Sequence, residues 1–439
     1  MIKENLATCV FKNERVIFSS FINEFTHDRY KEFDSYAKKI GLHSKIDDLF
    51  NGKKVNFTEG IAAWHPKYRA DYKPDESDTL SQKGQQNELD TLFTLCTEAK
   101  NIVTIGIGGS FEGPKMLLEN TDLNNVDANF IFITGSDLSE FRMKTDKLNP
   151  EDTIFLISSK SFKTQETLSL LKEAISWSGN LNNFVAITAN KEEARKYNIK
   201  YIIEFDNEIG GRYSIWSEIS ILIDWANKKS FDNFMAGGKQ ADMDLKNDKS
   251  YLKFVKTLSY SDIWFHNYRN KNSRAIFSYI WTWRSFPDYI QQLEMESLGK
   301  QPSINSDYIK TGQIIFGGYG PTAQHSYFQL LHQGTQDVCV DIVANKEDKN
   351  SLAYAQAITQ AELLSQGAKN LKDHEKINGN IPTNLFLVNN PDPYNLGYLV
   401  ATWEHRTFIT ASMLGINPFD QFGVSAGKIY TNKYLFSKD

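Results

Sequence analysis

Three cysteines in 439 residues are too few and too scattered for a disulfide framework: Cys9, Cys96 and Cys339 are odd in number and match no zinc-ligand spacing. They read as three reduced core thiols. Basic residues are not in excess either. Lys and Arg number 49 against 54 Asp and Glu, a net charge of −5, so the chain has no overall positive field for a nucleic-acid backbone, though it has room for local basic pockets. No apolar run approaches the ~18 residues of a membrane-spanning helix, and the opening stretch "MIKENLATCVFKNERVIFSS" has no uninterrupted apolar segment of the secretory kind. A cytoplasmic location is expected from this. Tracts of Pro, Gly or Gln are missing as well, and with 41% hydrophobic residues the chain can build two ordinary domains, each with its own core.

What is present is an alternation. "NIVTIGIGG" leads into "SFEGPKMLLEN", "NFIFITG" into "SDLSEFRMKTDKL", "DTIFLISSK" into "SFKTQETLSLLKEAISWS", and "NFVAIT" into "ANKEEARKY". Short apolar strands followed by amphipathic helices predict a doubly wound parallel sheet over residues 98–205. After a helix-rich stretch at 215–265 the rhythm returns. "SRAIFSYI", "GQIIFGGYG", "QDVCVDIVA" and "TNLFLVNN" read as strands of a second α/β unit at 270–390, with "PTAQHSYFQLLHQ" and "SLAYAQAITQAELLSQGAK" as helices, and "GYLVATWEHRTFITASMLG" follows as a C-terminal helix.

Open α/β sheets gather loops and helix N-termini at the carboxyl ends of their strands, which is where they hold ligands. "ISSKSFKTQET" sits there. Its Ser159, Ser161, Thr164 and Thr167 can hold an anion jointly with the free amides of a helix start, and "GIGGS" offers Gly106, Gly108, Gly109 and a helix-starting Ser110 in the same way. The same hydroxyls also suit plain N-caps. A dinucleotide loop is disfavoured because Phe111 breaks the G-x-G-x-x-G spacing, and no Walker lysine follows a G-x-x-x-x-G. A phosphate bound here is expected to belong to a small substrate.

Further along, "NEIGGRYSIWSEISI" places Arg212 behind Gly210 and Gly211, suited to an anion or to developing enolate charge, or else to a structural ion pair. In "YIQQLEMESLGK", Glu294 and Glu296 stand beside Gln292 on a helix. Two residues apart they face differently, which disfavours paired-carboxylate or metal chemistry and leaves one as a lone general base and the other exposed. His325 is predicted at the front of a helix and is the better acid/base candidate. His332 reads as structural, and no His-x-x-x-His or matching acidic cluster marks a metal site. "GINPFDQFGVSAGKIY" adds Gln421 and Lys428 around a small-residue turn.

Six blocks in order, "IGIGGS", "SSKSFKTQET", "IGGRYSIWSEIS", "QQLEMESLGK", "AQHSYFQLLHQGTQ" and "FDQFGVSAGK", resemble the phosphoglucose isomerase family. The resemblance implies two sugar-isomerase (SIS) domains of flavodoxin-like type with extra N- and C-terminal helices. These are placed at residues 61–230 and 231–439, with a helical segment at 1–60. It implies a homodimer that interconverts glucose 6-phosphate and fructose 6-phosphate through a cis-enediol, with no metal or cofactor. By that resemblance Ser110, Ser159, Lys160, Ser161 and Thr164 bind the phosphate, with Ser161 where many relatives carry Thr. Glu296 is the base, and Arg212 stabilises the intermediate. His325, from the neighbouring subunit, and Lys428 open the ring, while Gly211, Gln292 and Gln421 line the site. Two positions depart from the family pattern: Ser425 stands where relatives have Glu, and Leu298 where they usually have Asn. Two other readings fit these residues less well. A non-catalytic SIS-domain sensor would usually bring a basic DNA-binding segment, and an amidotransferase would need an N-terminal nucleophilic cysteine; this chain has neither. An extracellular signalling role, as some relatives have, finds no support in these residues.

Overall fold

Four of the five mid-chain strands lie where apolar runs predict them: β3 (Asn101–Ile105), β4 (Asn129–Ile133), β5 (Thr153–Ser158) and β6 (Phe184–Thr188). They follow an N-terminal hairpin of β1 (Cys9–Lys12) and β2 (Val16–Ser20) and precede a short β7 (Tyr201–Glu204). The computed structural model describes residues 7–437 apart from 23 and 74–84. The chain divides into two units, one made of Met1–Thr58 and Asn233–Pro418, the other of Glu59–Asp232 and Phe419–Asp439. The sequence reading places its cuts at 60 and 230 and keeps each segment contiguous. The first 58 residues, however, group with the later unit and the last 21 with the earlier one.

The unit built on Glu59–Asp232 holds a five-stranded sheet in the order β4-β3-β5-β6-β7, parallel throughout. Counted from β3 this is the order 2-1-3-4-5 of flavodoxin-like sheets, with its switch point between β3 and β5. Every residue of β3, β5 and β6 is buried, as expected of strands covered on both faces. Their side chains pack with Phe141, Leu170, Leu171 and Ala174 into one core.

In the other unit β8 (Ser273–Ser278), β9 (Ile314–Tyr319), β10 (Val338–Asn345) and β11 (Thr383–Val388) follow the runs predicted for them. The sheet runs β1-β2-β11-β10-β8-β9, so its parallel part repeats the same switch, here between β8 and β10. The segment at 1–60 is not only helical. Helices His27–Lys39 and Leu42–Phe50 are present, but β2 pairs antiparallel with β11 and β1 with β2, so the hairpin closes one edge of the sheet. Cys96 and Cys339 are buried, Cys9 is only half-buried, and all three are free thiols. Among the described residues no helix is long and apolar enough to cross a membrane.

Helix Pro393–Leu414 runs through this unit with residues 395–414 buried, so its polar side chains need partners inside the protein. Arg406 finds them. It donates to Asp262 from Nε and Nη2, each at 2.7 Å, and to Asp341 from Nη1 at 2.7 Å. Arg274 on β8 bonds Asp262 at 2.6 Å and also Glu294. Asn384 donates to the other Asp341 oxygen at 2.8 Å. Glu294 is thus not a solvated carboxylate as one of the Glu pair was expected to be. On helix Phe286–Leu298 it belongs to the buried face of Phe286, Ile290, Leu293 and Ser297, and it is 3% exposed. Three carboxylates share two guanidiniums. Burial, then the repulsion of Asp262 and Asp341, outweighs the pull of Arg274 and raises Glu294 to about 8.

A raised folded pKa means that the protonated form is favoured by folding, so stability present below the unfolded value of about 4.3 is lost as pH rises through about 8. Glu294→Gln mimics the protonated acid. Urea midpoints are expected to show the variant within ~1 kcal/mol of wild type at pH 5 and progressively more stable than it up to pH 8.5. Glu294→Ala, which leaves an Arg274 N–H without its acceptor while Asp262 and Asp341 still balance the charge, is expected to lose about 1–3 kcal/mol.

Candidate functional site

The register of β3 against β5 sets Ile105 opposite Ile157, so the two loops that follow leave the sheet at the same level. After β3, Gly108 takes φ +59° and opens a 3-10 turn, Gly108–Ser110, before helix Glu112–Glu119 begins. Ser110 therefore precedes the helix instead of starting it. Gly109 admits no side chain: a Cβ there would lie 1.9 Å from the Gly211 carbonyl oxygen. That contact brings the Arg212 segment against the first loop.

After β5 the chain turns sharply. Ser159 is buried, its N–H donating to Ile187 O at 3.0 Å, while Ala189 N–H and the Thr188 hydroxyl both donate to the Lys160 carbonyl at 3.1 Å. Ser159 Oγ donates to Thr164 Oγ1 at 3.4 Å, and Lys163 N–H donates to Ser161 Oγ at 3.2 Å. Thr164 is the N-cap residue of helix Gln165–Ser178 but makes no capping bond with its side chain. The first-turn amides of that helix are thus left for a ligand. Thr167, grouped with these hydroxyls by sequence, is buried inside the helix.

Arg212, in the 3-10 turn Gly211–Trp216, is 1% exposed. Its Nη1 donates to Gln421 Oε1 at 2.7 Å and its Nη2 to the Asp420 carbonyl at 2.9 Å, which fixes the guanidinium plane. Burial lowers the Lys160 pKa, Glu59 works the other way, and the Arg212 charge lowers it further. Two cations facing each other in a partly buried place suit an anion. Ser110, Ser159, Lys160, Ser161, Thr164, Gly211, Arg212 and Gln421 all belong to one unit. Lys428 belongs to it too, but it is exposed on helix Phe422–Phe436, with no hydrogen bond or ion pair to the others among the described residues.

The other unit carries Gln292, Glu296 and His325. Gln292 and Glu296 are four residues apart on helix Phe286–Leu298 and share a face, both half-buried. Gln292 Oε1 is buried with no hydrogen-bond partner among the described residues, an acceptor open to a hydroxyl donor. The predicted helix around His325 is broken in two, Gly320–Gln324 and Phe328–Gln333. His325 is the exposed C-cap of the first piece and not the front of a helix, because the Gly-Pro start launches only a short helix that ends at this residue. His332 bonds Gln360 Oε1 at 2.7 Å, and burial lowers its pKa, in keeping with a structural role. Among the described residues no group of three or more His, Cys, Asp or Glu is placed to hold a metal ion.

Sequence reasoning did not single out Thr188, which clamps the Lys160 carbonyl, or His65, whose ring stacks on Tyr213 at 4.5 Å. A threonine at a strand end and a histidine far away in sequence carry no local signal.

Known proteins bear on this arrangement. The sequence profile of the family described as Phosphoglucose isomerase matches residues 19–437. The glucose-6-phosphate isomerase of Polaromonas naphthalenivorans is 33% identical over 423 residues, covering 90% of this chain and 81% of that protein. That of Ectopseudomonas mendocina is 34% identical over 448 residues, covering 89% and 80%. The crystal structure of a glucose-6-phosphate isomerase from Chlamydia trachomatis superposes with a TM-score of 0.88 at 23% identity, covering 99% of this chain and 91% of that one; it is similar in fold.

The backbone approach at Gly109 yields a contrast. Gly109→Ala is expected to cost about 1–3 kcal/mol in urea unfolding and to weaken binding of inorganic phosphate. Gly211→Ala, where a Cβ meets nothing within 4 Å, is expected to stay within about 0.5 kcal/mol of wild type.

Proposed function

This chain belongs to the phosphoglucose isomerase family, and we propose from that premise that it interconverts glucose 6-phosphate and fructose 6-phosphate. The family match over residues 19–437 carries the reading. The hydroxyls of Ser110, Ser159, Ser161 and Thr164, the Lys160 charge and the open amides before Gln165 hold the substrate phosphate. Gly211, Gln292 and Gln421 line the sugar.

His325 and Lys428 serve ring opening, moving a proton on to the ring oxygen and another off the C1 hydroxyl so that an open-chain aldehyde results. The Glu296 carboxylate then takes the proton from C2. As that bond's electrons form the C1=C2 double bond, the carbonyl electrons move to O1, giving a cis-enediol once O1 is protonated. Return of the proton to C1, with loss of the O2 proton, yields the ketose. Arg212 stabilises the negative charge that passes between O1 and O2. Its burial supports this role, since a fixed cation away from water acts strongly on developing charge and needs no reorganisation. The unpartnered Gln292 Oε1 supports a sugar hydroxyl as its donor.

Two departures bear on the ring-opening step and on the helix of the base. Ser425 lies on the first turn of helix Phe422–Phe436, its Oγ 3.5 Å from the Gln421 carbonyl, so no carboxylate orients Lys428 from this position. Leu298 is 6% exposed and packs where the pattern has an amide. The protein works as a homodimer in the cytoplasm. Helix Phe422–Phe436 supports the dimer, because Phe422, Ile429, Tyr430 and Tyr434 are each more than half exposed and such a helix needs a second surface. In that dimer His325 acts in the active site of the partner.

Conversion of fructose 6-phosphate to glucose 6-phosphate, followed through an NADP-dependent dehydrogenase, tests the activity and its base together. Wild type is expected to turn over and Glu296→Gln to fall by about 10²–10⁴-fold. Equal rates would move the base elsewhere, and a wild type that binds sugar phosphate without converting it would favour the non-catalytic sensor. Mixing inactive Glu296→Gln and His325→Ala subunits is expected to restore one working site per mixed dimer. No recovery despite demonstrated subunit exchange would count against His325 acting in trans.

A further inference from the structure

Among the described residues five non-glycine residues have positive φ, and four of them are asparagines, Asn198, Asn270, Asn370 and Asn380. Asparagine visits this region readily because its short polar side chain bonds locally. The fifth is Phe162, at φ +49°, in the middle of the loop after β5. A left-handed backbone is strained for phenylalanine, whose Cβ crowds the carbonyl, and such strain persists only where the surroundings over-determine it.

The surroundings here are the core. The Phe162 ring is 1% exposed, belongs to the cluster with Leu170, Leu171 and Phe184, and lies 6.0 Å from the Tyr197 ring. Burying a ring of that size is enough to offset the backbone cost. The loop around it is otherwise polar. Ser159, Lys160 and Ser161 lie before it, Lys163 and Thr164 after, so the ring is the one apolar anchor between β5 and the helix Gln165–Ser178.

The bonds of the loop depend on the reversal at this residue. Phe162 N–H closes a turn on to the Ser159 carbonyl at 3.3 Å. The next amide, Lys163 N–H, points back to Ser161 Oγ, and Thr164 is returned to within 3.4 Å of Ser159 Oγ. An extended residue at 162 would carry Thr164 and the helix start away from Ser159. We propose that Phe162 is a positioning residue for anion binding: its buried ring holds the left-handed backbone that sets Ser159, Ser161 and Thr164 around the amino end of helix Gln165–Ser178. The ring itself touches no ligand. The proposal rests on the sugar-phosphate reading above and names what makes that loop a cradle.

The experiment compares wild type with Phe162→Ala, Phe162→Leu and a control, Phe184→Leu. Phe184 is a ring of the same core, stacked on Phe155 at 4.7 Å at the far end of β6 from Thr188. Three quantities are measured: the Kd of inorganic phosphate by calorimetry, KM and kcat for fructose 6-phosphate, and the urea midpoint. Phosphate binding contributes equally to ground and transition states, so Phe162→Ala is expected to raise Kd and KM about tenfold with kcat within about twofold, and Phe162→Leu to raise them about threefold. Phe184→Leu is expected to lower the urea midpoint and leave Kd and KM unchanged.

Unchanged Kd and KM in Phe162→Ala would overturn the proposal, as would an equal rise in the control, which would reduce the effect to general softening. If the alanine variant does not fold, the leucine variant decides in the same way. A wild type that neither binds phosphate nor isomerises defeats the sugar-phosphate reading itself, whereas an active wild type with insensitive Phe162 variants defeats only this inference.

Discussion

Parallel strands joined by helices cross over with one hand, so a doubly wound sheet reverses its direction of growth between two neighbouring strands whose outgoing connections leave on opposite faces. In the mid-chain sheet those strands are β3 and β5, and nearly everything chemical in that unit follows from their pairing. With Ile105 level with Ile157, the glycine loop and the hydroxyl loop start side by side. A Cβ on Gly106 would come within 3.1 Å of the Ser158 carbonyl. Two open helix starts and the Arg212 turn, admitted by the missing side chain of Gly109, then converge on one place.

The second sheet repeats the winding but uses its interior differently. Its polar investment is the cluster of Arg274, Arg406, Asp262, Asp341 and Glu294, which ties β8, β10 and three helices together. Glu294 is the point where that cluster grips helix Phe286–Leu298. With the helix held on its core face, the neighbouring face presents Gln292 and Glu296 in a set direction. The base proposed at Glu296, which has to meet a C–H proton, would benefit from such a rigid carrier.

Eight parallel strands were legible because each is a short run rich in apolar residues, most nearly continuous in β5 and β6, which are buried on both faces. β7 escaped because its four residues "YIIE" are too short to stand out, and the β1–β2 hairpin because alternating burial in nine residues resembles many loops. The proposed phosphate cradle rests on residue types that sequence does show, hydroxyls and glycines clustered behind strands. The fates of the two neighbouring glutamates were not. Only the phase of the helix tells that Glu294 falls in line with Phe286 and Ile290 while Glu296 does not. His325 was misplaced within its helix because helical periodicity continues through 320–333 although the backbone breaks at 325. Left-handed Phe162 left no trace at all, since composition reports which side chain is apolar and not which φ it is made to adopt.

The interleaving of the two units has a further consequence on the ribosome. β2 lines up with β11, Ser20 opposite Asn384, so β2 is made long before the strand that it pairs with. At ordinary synthesis rates it waits on the order of 20–70 s for that partner. During that interval the sheet of Glu59–Asp232 can already form from contiguous chain, while the hairpin of "CVFK" and "VIFSS" keeps the β2 edge that β11 will cover open, an edge of the kind that aggregates. Nascent chains of this protein thus pass through a stage in which the middle is folded and the beginning is exposed, and that stage is when a holdase chaperone has something to bind.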